Sequence, residues 1–528
     1  MIGIYAVAAA VLAIAAPSAF AGAGDPDPSF GVNGRIVADV DPFSEAFATS
    51  MAIDSQGRIL VAGYLGRSGL FPPIVARFNP DGSLDPSFGA GGVMRPKWNP
   101  GPITGIAIDR AGRIVLGGSI RNGPIPDSPL PGKEMYLDSD FAVARLLGNG
   151  EPDLSFAAGG LLKFGSGGDD YGFDLALDSQ GRILIAGQSA SRFAAARVSD
   201  SGVLDSSFGS YELGGLGVAE AIATDPQGRV VVAGTLLIAG RSEFAVTRVG
   251  DSGKLDPSLD GDGVATLDFG PQLPFGIATD LVIDASGRLL LVGKAGYRPA
   301  ETALVGRLLP DGSPDPSFDG DGKFTLDLPG SVAAEGVAID RNGQIMVVGT
   351  RSESEVNVTA EEAFLARLGP EGPLDPSFGA GGVVRERFLT DRFARGAAVV
   401  TDSAGRYLIA GGAWGSEANG LALARYLSGD QPPAELRRCR GRQATIIGTS
   451  RADRLRGTRR RDVIVGLGGN DRIRAFGGKD LICAGSGRDL VRAGAGNDMV
   501  FGGPGNDMVF GQTGKDRLRG GPGRDVER

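Results

Sequence analysis

The sequence predicts an all-β chain, a seven-repeat β-propeller-like domain followed by a parallel β-roll solenoid. Three observations carry that reading. From Asp453 to Asp525 an aspartate stands at every ninth position: Asp453, Asp462, Asp471, Asp480, Asp489, Asp498, Asp507, Asp516 and Asp525. Between residues 25 and 428 a longer unit returns seven times with its markers in one order. The 87 glycines sit at fixed places inside these repeats, so the chain is not low-complexity sequence. A fixed period marks an architecture in which each unit buries its apolar face against its neighbours.

Residues 1–21 have the form of a secretory signal peptide. An apolar run from Val7 to Ala16 leads to Pro17-Ser18-Ala19-Phe20-Ala21, with small residues where a signal peptidase cuts. The run is short for a membrane span. Met1 to Tyr5 departs from the pattern by carrying no Lys or Arg, and a retained anchor is the alternative. The expected mature protein is secreted and extracellular, with no transmembrane segment after cleavage.

The seven units of residues 25–428 share three markers. The first, Asp27-Pro28-Ser29-Phe30-Gly31, returns at Asp85, Asp153, Asp205, Asp256, Asp315 and Asp375. The second runs from Ile53-Asp54-Ser55-Gln56-Gly57-Arg58 into Ile59-Leu60-Val61-Ala62-Gly63 and returns around Asp109, Asp178, Asp225, Asp284, Asp340 and Asp402. The third, Val75-Ala76-Arg77-Phe78, returns with Arg145, Arg197, Arg248, Arg307, Arg367 and Arg425. Asp-x-x-Gly-Arg between two apolar runs reads as a hairpin turn joining strands at 48–53 and 59–63. Arg35 to Val40 and Ile74 to Phe78 offer two more strands, and four per unit is a propeller blade. These markers resemble the delta-60 repeat family, which implies a propeller-like scaffold without an agreed activity. An open β-solenoid is the alternative to a closed ring.

Residues 429–447 read as linker and cap, and 448–528 as nine units of nine residues. Two positions after each aspartate stands an aliphatic residue, from Leu455 and Ile464 to Val509 and Leu518, failing only at Glu527. Most aspartates follow a Gly-rich turn such as Gly502-Gly503-Pro504-Gly505-Asn506-Asp507. This segment resembles the RTX, or haemolysin-type, calcium-binding repeats. The resemblance implies a coil of two units, with each turn stacked on the turn eighteen residues later. It also implies aspartate side chains and main-chain carbonyls as ligands. Stacked carboxylates repel unless a cation lies between them, and a flexible shell of six or more oxygens suits calcium better than magnesium. The candidate metal residues are Asp471, Asp480, Asp489, Asp498, Asp507, Asp516 and Asp525, with Gly469, Gly478, Gly487, Gly496, Gly505 and Gly514. Asn470, Asn497 and Asn506, in the best turns, are candidate metal residues as well. The expectation is about three to five Ca2+ ions of weak affinity, roughly 0.1–1 mM.

Departures from the pattern mark the ends. Arg451 and Arg460 replace turn glycines in the first two units, which read as a cap that binds nothing. Ala475, Ala484 and Ala493 are mild changes. Lys479, Arg488, Lys515 and Arg524 precede aspartates and weaken binding unless they point outward. A metal-free β-helix with arginine counter-charges is the bland alternative.

The only cysteines are Cys439 and Cys483. In an oxidising compartment they favour a disulfide tying the segment before the roll to its fourth unit; two unpaired buried thiols are the other possibility. The net charge of −9 is unevenly spread. Residues 437–528 hold 18 Arg and 2 Lys against 9 Asp and 1 Glu, a net +10, leaving 33 basic and 52 acidic residues, a net −19, elsewhere. The basic module could attract anionic cell-surface polymers, but the favoured reading is the plainer one, that outward arginines (Arg454, Arg456, Arg472, Arg474, Arg517, Arg519) solubilise a flat sheet and blunt its edges. No nucleic-acid site is indicated.

The absence of histidine removes the Ser-His-Asp arrangement and every His-ligated metal site. Asp256–Asp262 and Asp315–Asp321 resemble half an EF-hand loop but have Leu267 and Leu326 where its glutamate should stand, and they read as polar turns. The leading expectation is a non-enzymatic calcium-binding protein whose propeller offers a protein or glycan ligand a surface. A secreted hydrolase or lyase with its site at the propeller mouth is one rival. Carboxylates with Lys or Arg at the mouth raise that rival, and Gly, Ala and Ser lower it. A cell-surface adhesin is the other.

Overall fold

The computed structural model describes residues 22–528 except 42, 67–70, 97–100, 123–138, 209–211, 274, 297–299, 354–359, 390–392, 416–417, 430–437 and 449–451. The expected signal peptide, Trp98 and Arg451 lie outside the described residues. The described chain forms two compact units, 23–428 and 429–528.

The first unit is a propeller of seven four-stranded antiparallel blades. Blade 1 consists of Glu45–Ile53, Ile59–Gly66, Pro73–Phe78 and Val93–Met94. Its second strand shows why the sequence has continuous apolar runs there instead of alternation. Ile59, Leu60, Val61 and Ala62 are all buried, because blades pack face to face. Ile59 and Val61 join a core with Leu408, Leu421 and Leu423 of blade 7, while Leu60 and Ala62 join Ile103, Ile114 and Leu116 of blade 2. Each large aliphatic group so placed contributes about 1.5–3 kcal/mol.

The first-to-second strand hairpin turns as its sequence dictates. Asp54 accepts the Gln56 and Arg58 amides and the Arg58 Nε, the last at 2.6 Å, while the Gly57 amide closes onto the Asp54 carbonyl. Gly57 has φ +77°, which glycine reaches freely.

The Arg77-type arginines are braces. Arg77 donates to Asp85 at 2.8 Å, to Ser87, and to the Gly148 carbonyl of the next unit, and it lies 4.7 Å above the Phe88 ring. The same clasp recurs at Arg145, Arg197, Arg307, Arg367 and Arg425. At Arg248 the pairing with Asp256 remains, but Leu259 replaces the ring.

The sequence repeats are offset from the blades. Arg35–Ala38 does not pair with its own repeat; it runs antiparallel to Asn419–Tyr426 and supplies the outer strand of blade 7. Asp27 accepts from Arg425 at 2.8 Å and Arg406 at 2.9 Å, and Phe30 lies under Arg425. The ring is therefore closed, and the open-solenoid alternative fails.

The second unit is a two-sided parallel solenoid. One sheet stacks Ile446–Ile447, Val463–Val465, Leu481–Cys483, Met499–Phe501 and Arg517–Arg519; the other stacks Arg454–Arg456, Arg472–Arg474, Leu490–Gly496, Met508–Thr513 and Val526–Glu527. Partners lie eighteen residues apart, as in Ile473 with Val491 and Ile482 with Val500. Between the sheets Ile464, Ile473, Ile482, Val491, Val500 and Val509 form a single-file core, joined by Ala475, Ala484 and Ala493.

The outer face of the first sheet is apolar. Val463, Val465 and Leu481 are covered by Cys439, whose hairpin (Arg438–Cys439, Arg442–Gln443) is tied down by a Cys439–Cys483 disulfide with a Cα separation of 5.7 Å. Arg440 lies 5.2 Å above the Phe501 ring. The cap is therefore a lid over one sheet rather than an end plug alone.

Candidate metal centre

The turns of the solenoid place each aspartate in a repeated setting. Oδ1 of Asp471 accepts the Asp453 amide at 2.8 Å, and Oδ1 of Asp489 accepts the Asp471 amide at 2.8 Å. The ladder continues through Asp480, Asp498, Asp507, Asp516 and Asp525, each accepting the amide of the aspartate eighteen residues earlier. Asp471, Asp480, Asp489, Asp498 and Asp507 are buried, whereas Asp516 and Asp525 are half-buried.

The second oxygen of each buried aspartate is unsatisfied. Oδ2 of Asp471, Asp480, Asp489, Asp498 and Asp507 is buried and has no hydrogen-bond partner among the described residues. A buried, unpaired carboxylate oxygen is costly, so the charge is suppressed or met by a cation. Burial, then the charges of Asp489 and Asp453, push Asp471 up to about 7 against the pull of the Asp453 amide. Burial likewise raises Asp480 to about 6, and Asp489, Asp498 and Asp507 upward. The donor set fits a hard cation, with carboxylate oxygens on a carbonyl-rich turn. Among the described residues no group of three or more Asp, Glu or Cys gathers at one point, so any shell here needs main-chain oxygens.

The turn glycines are required by stacking. A Cβ on Gly487 would lie 1.9 Å from the Gly469 carbonyl oxygen, and one on Gly505 would lie 1.6 Å from that of Gly487. Gly496 and Gly514 face the carbonyls of Gly478 and Gly496 as closely, and Gly478 faces that of Arg460 at 2.5 Å. The asparagines have a different task from the aspartates. Oδ1 of Asn470, Asn497 and Asn506 accepts the amides of Arg488, Lys515 and Arg524, pinning one turn to the next at the surface. Lys479, Arg488, Lys515 and Arg524 are exposed, away from the orphaned oxygens. Sequence reasoning missed this asparagine ladder, although the Asn-Asp pairs were its signal.

The propeller holds a second polar constellation that periodicity did not single out. The innermost strand of every blade carries a β-bulge at one position: Thr49, Thr104, Phe173, Glu220, Thr279, Glu335 and Ala397. All seven line a central cavity of about 180 Å³, together with Asp174 and Asp280. Thr49 donates to the Ile103 carbonyl at 2.6 Å and Thr104 to that of Gly172 at 2.9 Å, linking blades. Asp174 accepts the Ile222 amide at 3.0 Å and Asp280 the Val337 amide at 2.8 Å, in each case from the next blade. Lys294 lies 3.8 Å from Glu335. The channel thus carries carboxylates from four successive blades, Asp174, Glu220, Asp280 and Glu335, with Ser50, Ala397 and Ala398 also in its wall.

A pH dependence follows from these struts. Burial, with the charge of Asp280, raises Asp174 to about 8, and burial raises Asp280 to about 6. Groups raised in the fold stabilise it below their unfolded pKa, and that contribution is lost as pH climbs through the folded value. The Ser207 hydroxyl and then Arg197 outweigh burial and hold Asp205 at about 2, so its contribution is lost as pH falls through that region. The propeller melting temperature is therefore expected to rise from about pH 8 to about pH 4 and to fall below it. Scanning calorimetry of Asp174→Asn/Asp280→Asn should show the upper slope flattened; an unaltered slope would remove these residues as its cause.

Comparison with known proteins agrees with both architectures. Residues 447–482, 456–491, 474–509 and 492–527 match the RTX calcium-binding nonapeptide repeat. Residues 55–88 and 285–318 match a β-propeller domain of unknown function, DUF5122. The C-terminal unit thus carries calcium-binding repeats along its length, and parts of the first and fifth blades match that propeller domain. No curated protein matches the chain. Among solved structures, a protein of unknown function from Dyadobacter fermentans DSM 18053 is 11% identical, covering 76% of this chain and 99% of its own, with a TM-score of 0.42. Sqt1 from Chaetomium thermophilum is 12% identical over 74% of this chain and 97% of its own, TM-score 0.38. PQQ-bound aldose sugar dehydrogenase from Streptomyces coelicolor is 14% identical over 74% and 98%, TM-score 0.34. Likenesses at this level say nothing of activity. No helix among the described residues is long and apolar enough to cross a membrane.

Proposed function

We propose that the protein is a secreted, non-enzymatic, calcium-binding interaction protein whose roll is folded by calcium and whose propeller offers a binding surface. The five orphaned Oδ2 atoms carry this reading. Asp471, Asp480, Asp489, Asp498 and Asp507 would hold the ions, with Asp516 and Asp525 completing the last turns and turn carbonyls filling each shell. Calcium supplies positive charge where carboxylates stack, and its binding energy becomes folding energy. Three to five ions suit the number of complete turns. The Cys439–Cys483 disulfide supports a destination outside the reducing cytosol.

Full-length protein stripped with chelator is expected to gain β-type circular dichroism on adding millimolar calcium, with several equivalents found by elemental analysis. An unchanged spectrum and no bound calcium would overturn the reading.

One observation favours a second reading, a hydrolase or lyase working at the channel. Glu220, raised to about 7 by burial and then by Glu335, shares the cavity with Glu335. Such a pair suits acid–base cleavage of glycosidic bonds. Release of reducing ends from acidic polysaccharides, abolished by Glu220→Gln, would establish it.

A further inference from the structure

The outer face of the second solenoid sheet carries an ordered arginine array. Arg454 lies in register with Arg472, and Arg456 with Arg474 and Arg492. Rungs of a parallel sheet are about 4.8 Å apart, so five guanidinium stems rise from two columns on adjacent rungs. Their alternate neighbours Leu455, Ile473 and Val491 point into the core, which directs the arginines outward. All five are exposed, and none forms an ion pair among the described residues. Arg459, Arg460 and Arg461, also exposed, follow in the adjoining turn.

Solubility alone does not call for this arrangement. A sheet face is kept soluble by mixed charges, whereas like charges directly opposite one another on neighbouring strands are destabilising. The propeller shows what the chain does with arginine for structure: there each recurring arginine is matched to an aspartate, as Arg77 is to Asp85. The roll array has no such match.

We propose that this face binds a linear acidic polysaccharide, laid along the solenoid axis with carboxylate or sulfate groups meeting successive rungs. The inference rests on the calcium reading above. A guanidinium forks onto a carboxylate or sulfate through two parallel N–H donors, and a flat ladder offers that fork at a regular pitch. Single-stranded nucleic acid fits less well, because its binding platforms interleave aromatic rings with cations. The three arginine-bearing rungs, Arg454–Arg456, Arg472–Arg474 and Leu490-Val491-Arg492, contain none, and the column's one ring, Phe510, stands beyond Arg492 rather than between arginines.

Calcium and the polysaccharide are coupled through position. Asp453, Asp471 and Asp489 immediately precede the three rungs, and the aspartate ladder sets their stacking. Without the cation Asp471 and Asp489 place negative charge beside the arginines and leave the rungs out of register. With it, charge and order both favour the polyanion. Each ligand therefore strengthens the other.

The test is retention of the full chain on immobilised chondroitin sulfate, with uncharged dextran and single-stranded DNA columns alongside. Retention is expected in calcium, with release by chelator or by salt. Arg456→Ser/Arg474→Ser/Arg492→Ser is expected to bind about tenfold more weakly. Arg454→Ser/Arg472→Ser serves as an independent pair should the triple variant not fold, and both are checked for an unaltered calcium-induced spectrum. Folded variants that bind like the parent would overturn the proposal, as would tighter retention on DNA. A calcium-folded parent that passes through the column sinks this inference alone. A parent whose spectrum ignores calcium sinks the calcium reading and this one with it.

Discussion

Gly505→Ala is expected to abolish calcium-induced folding of the roll, at a cost on the order of 4 kcal/mol or more. Gly505 has φ +150°, and a methyl group there would sit 1.6 Å from the Gly487 carbonyl oxygen. That oxygen is backbone in the turn below, so no side-chain rotation relieves the clash. The aspartate ladder runs through the same two turns, and pushing them apart breaks the contact between the Asp489 amide and Asp507. Gly477→Ala is the control: the nearest foreign atom to its Cβ is the Ala495 oxygen at 3.5 Å. Calcium titrations of the two variants should differ from the lowest concentration to the highest. Equal curves would mean that the turns do not stack as described.

Asp27→Ala is expected to destabilise the propeller by about 3–5 kcal/mol, the loss typical of removing one partner from a buried ion pair. Asp27 and Arg425 are both buried, Arg406 shares the carboxylate, and Ser29 donates to it from within the same turn. Removing it leaves the Arg425 guanidinium without its carboxylate, and blade 7 loses the turn that holds Arg35–Ala38 in place. Trp414 is a built-in reporter, because its ring lies 4.9 Å from Phe47 across the junction of blades 7 and 1. In a Trp98→Phe background, urea unfolding followed by Trp414 emission should shift to lower denaturant. Asp81→Ala, at an exposed turn, should leave the midpoint nearly unchanged.

Much of this was legible because repeats state their physics many times over. Ile59-Leu60-Val61-Ala62 signals a strand buried on both faces, Asp54 with Gly57 signals its hairpin, and the ninth-residue aspartates signal stacked turns. The braces are legible in the same way, since an arginine recurring once per unit suits bracing between blades better than seven active sites. Other features were not. Which blade an outer strand joins depends on a contact between residues nearly four hundred positions apart, as between Arg35 and Ala424, and no local pattern encodes it. The bulges at Thr49 and its equivalents change register by one residue within a strand whose composition stays ordinary. The apolar outer face of Val463, Leu481 and Met499 is accounted for by its lid, the Cys439 hairpin, and no local pattern encodes that contact.

The borrowed outer strand has a consequence for how the molecule is made. A chain that emerges N-terminus first presents Arg35–Ala38 at the start and its partner Asn419–Tyr426 only after six other blades have been delivered. Until then the leading strand is an open edge, ready to pair with the wrong neighbour or with another copy. Assembly is thus a race between the arrival of the last blade and the capture of the first strand. Anything that slows synthesis midway lengthens the interval of exposure.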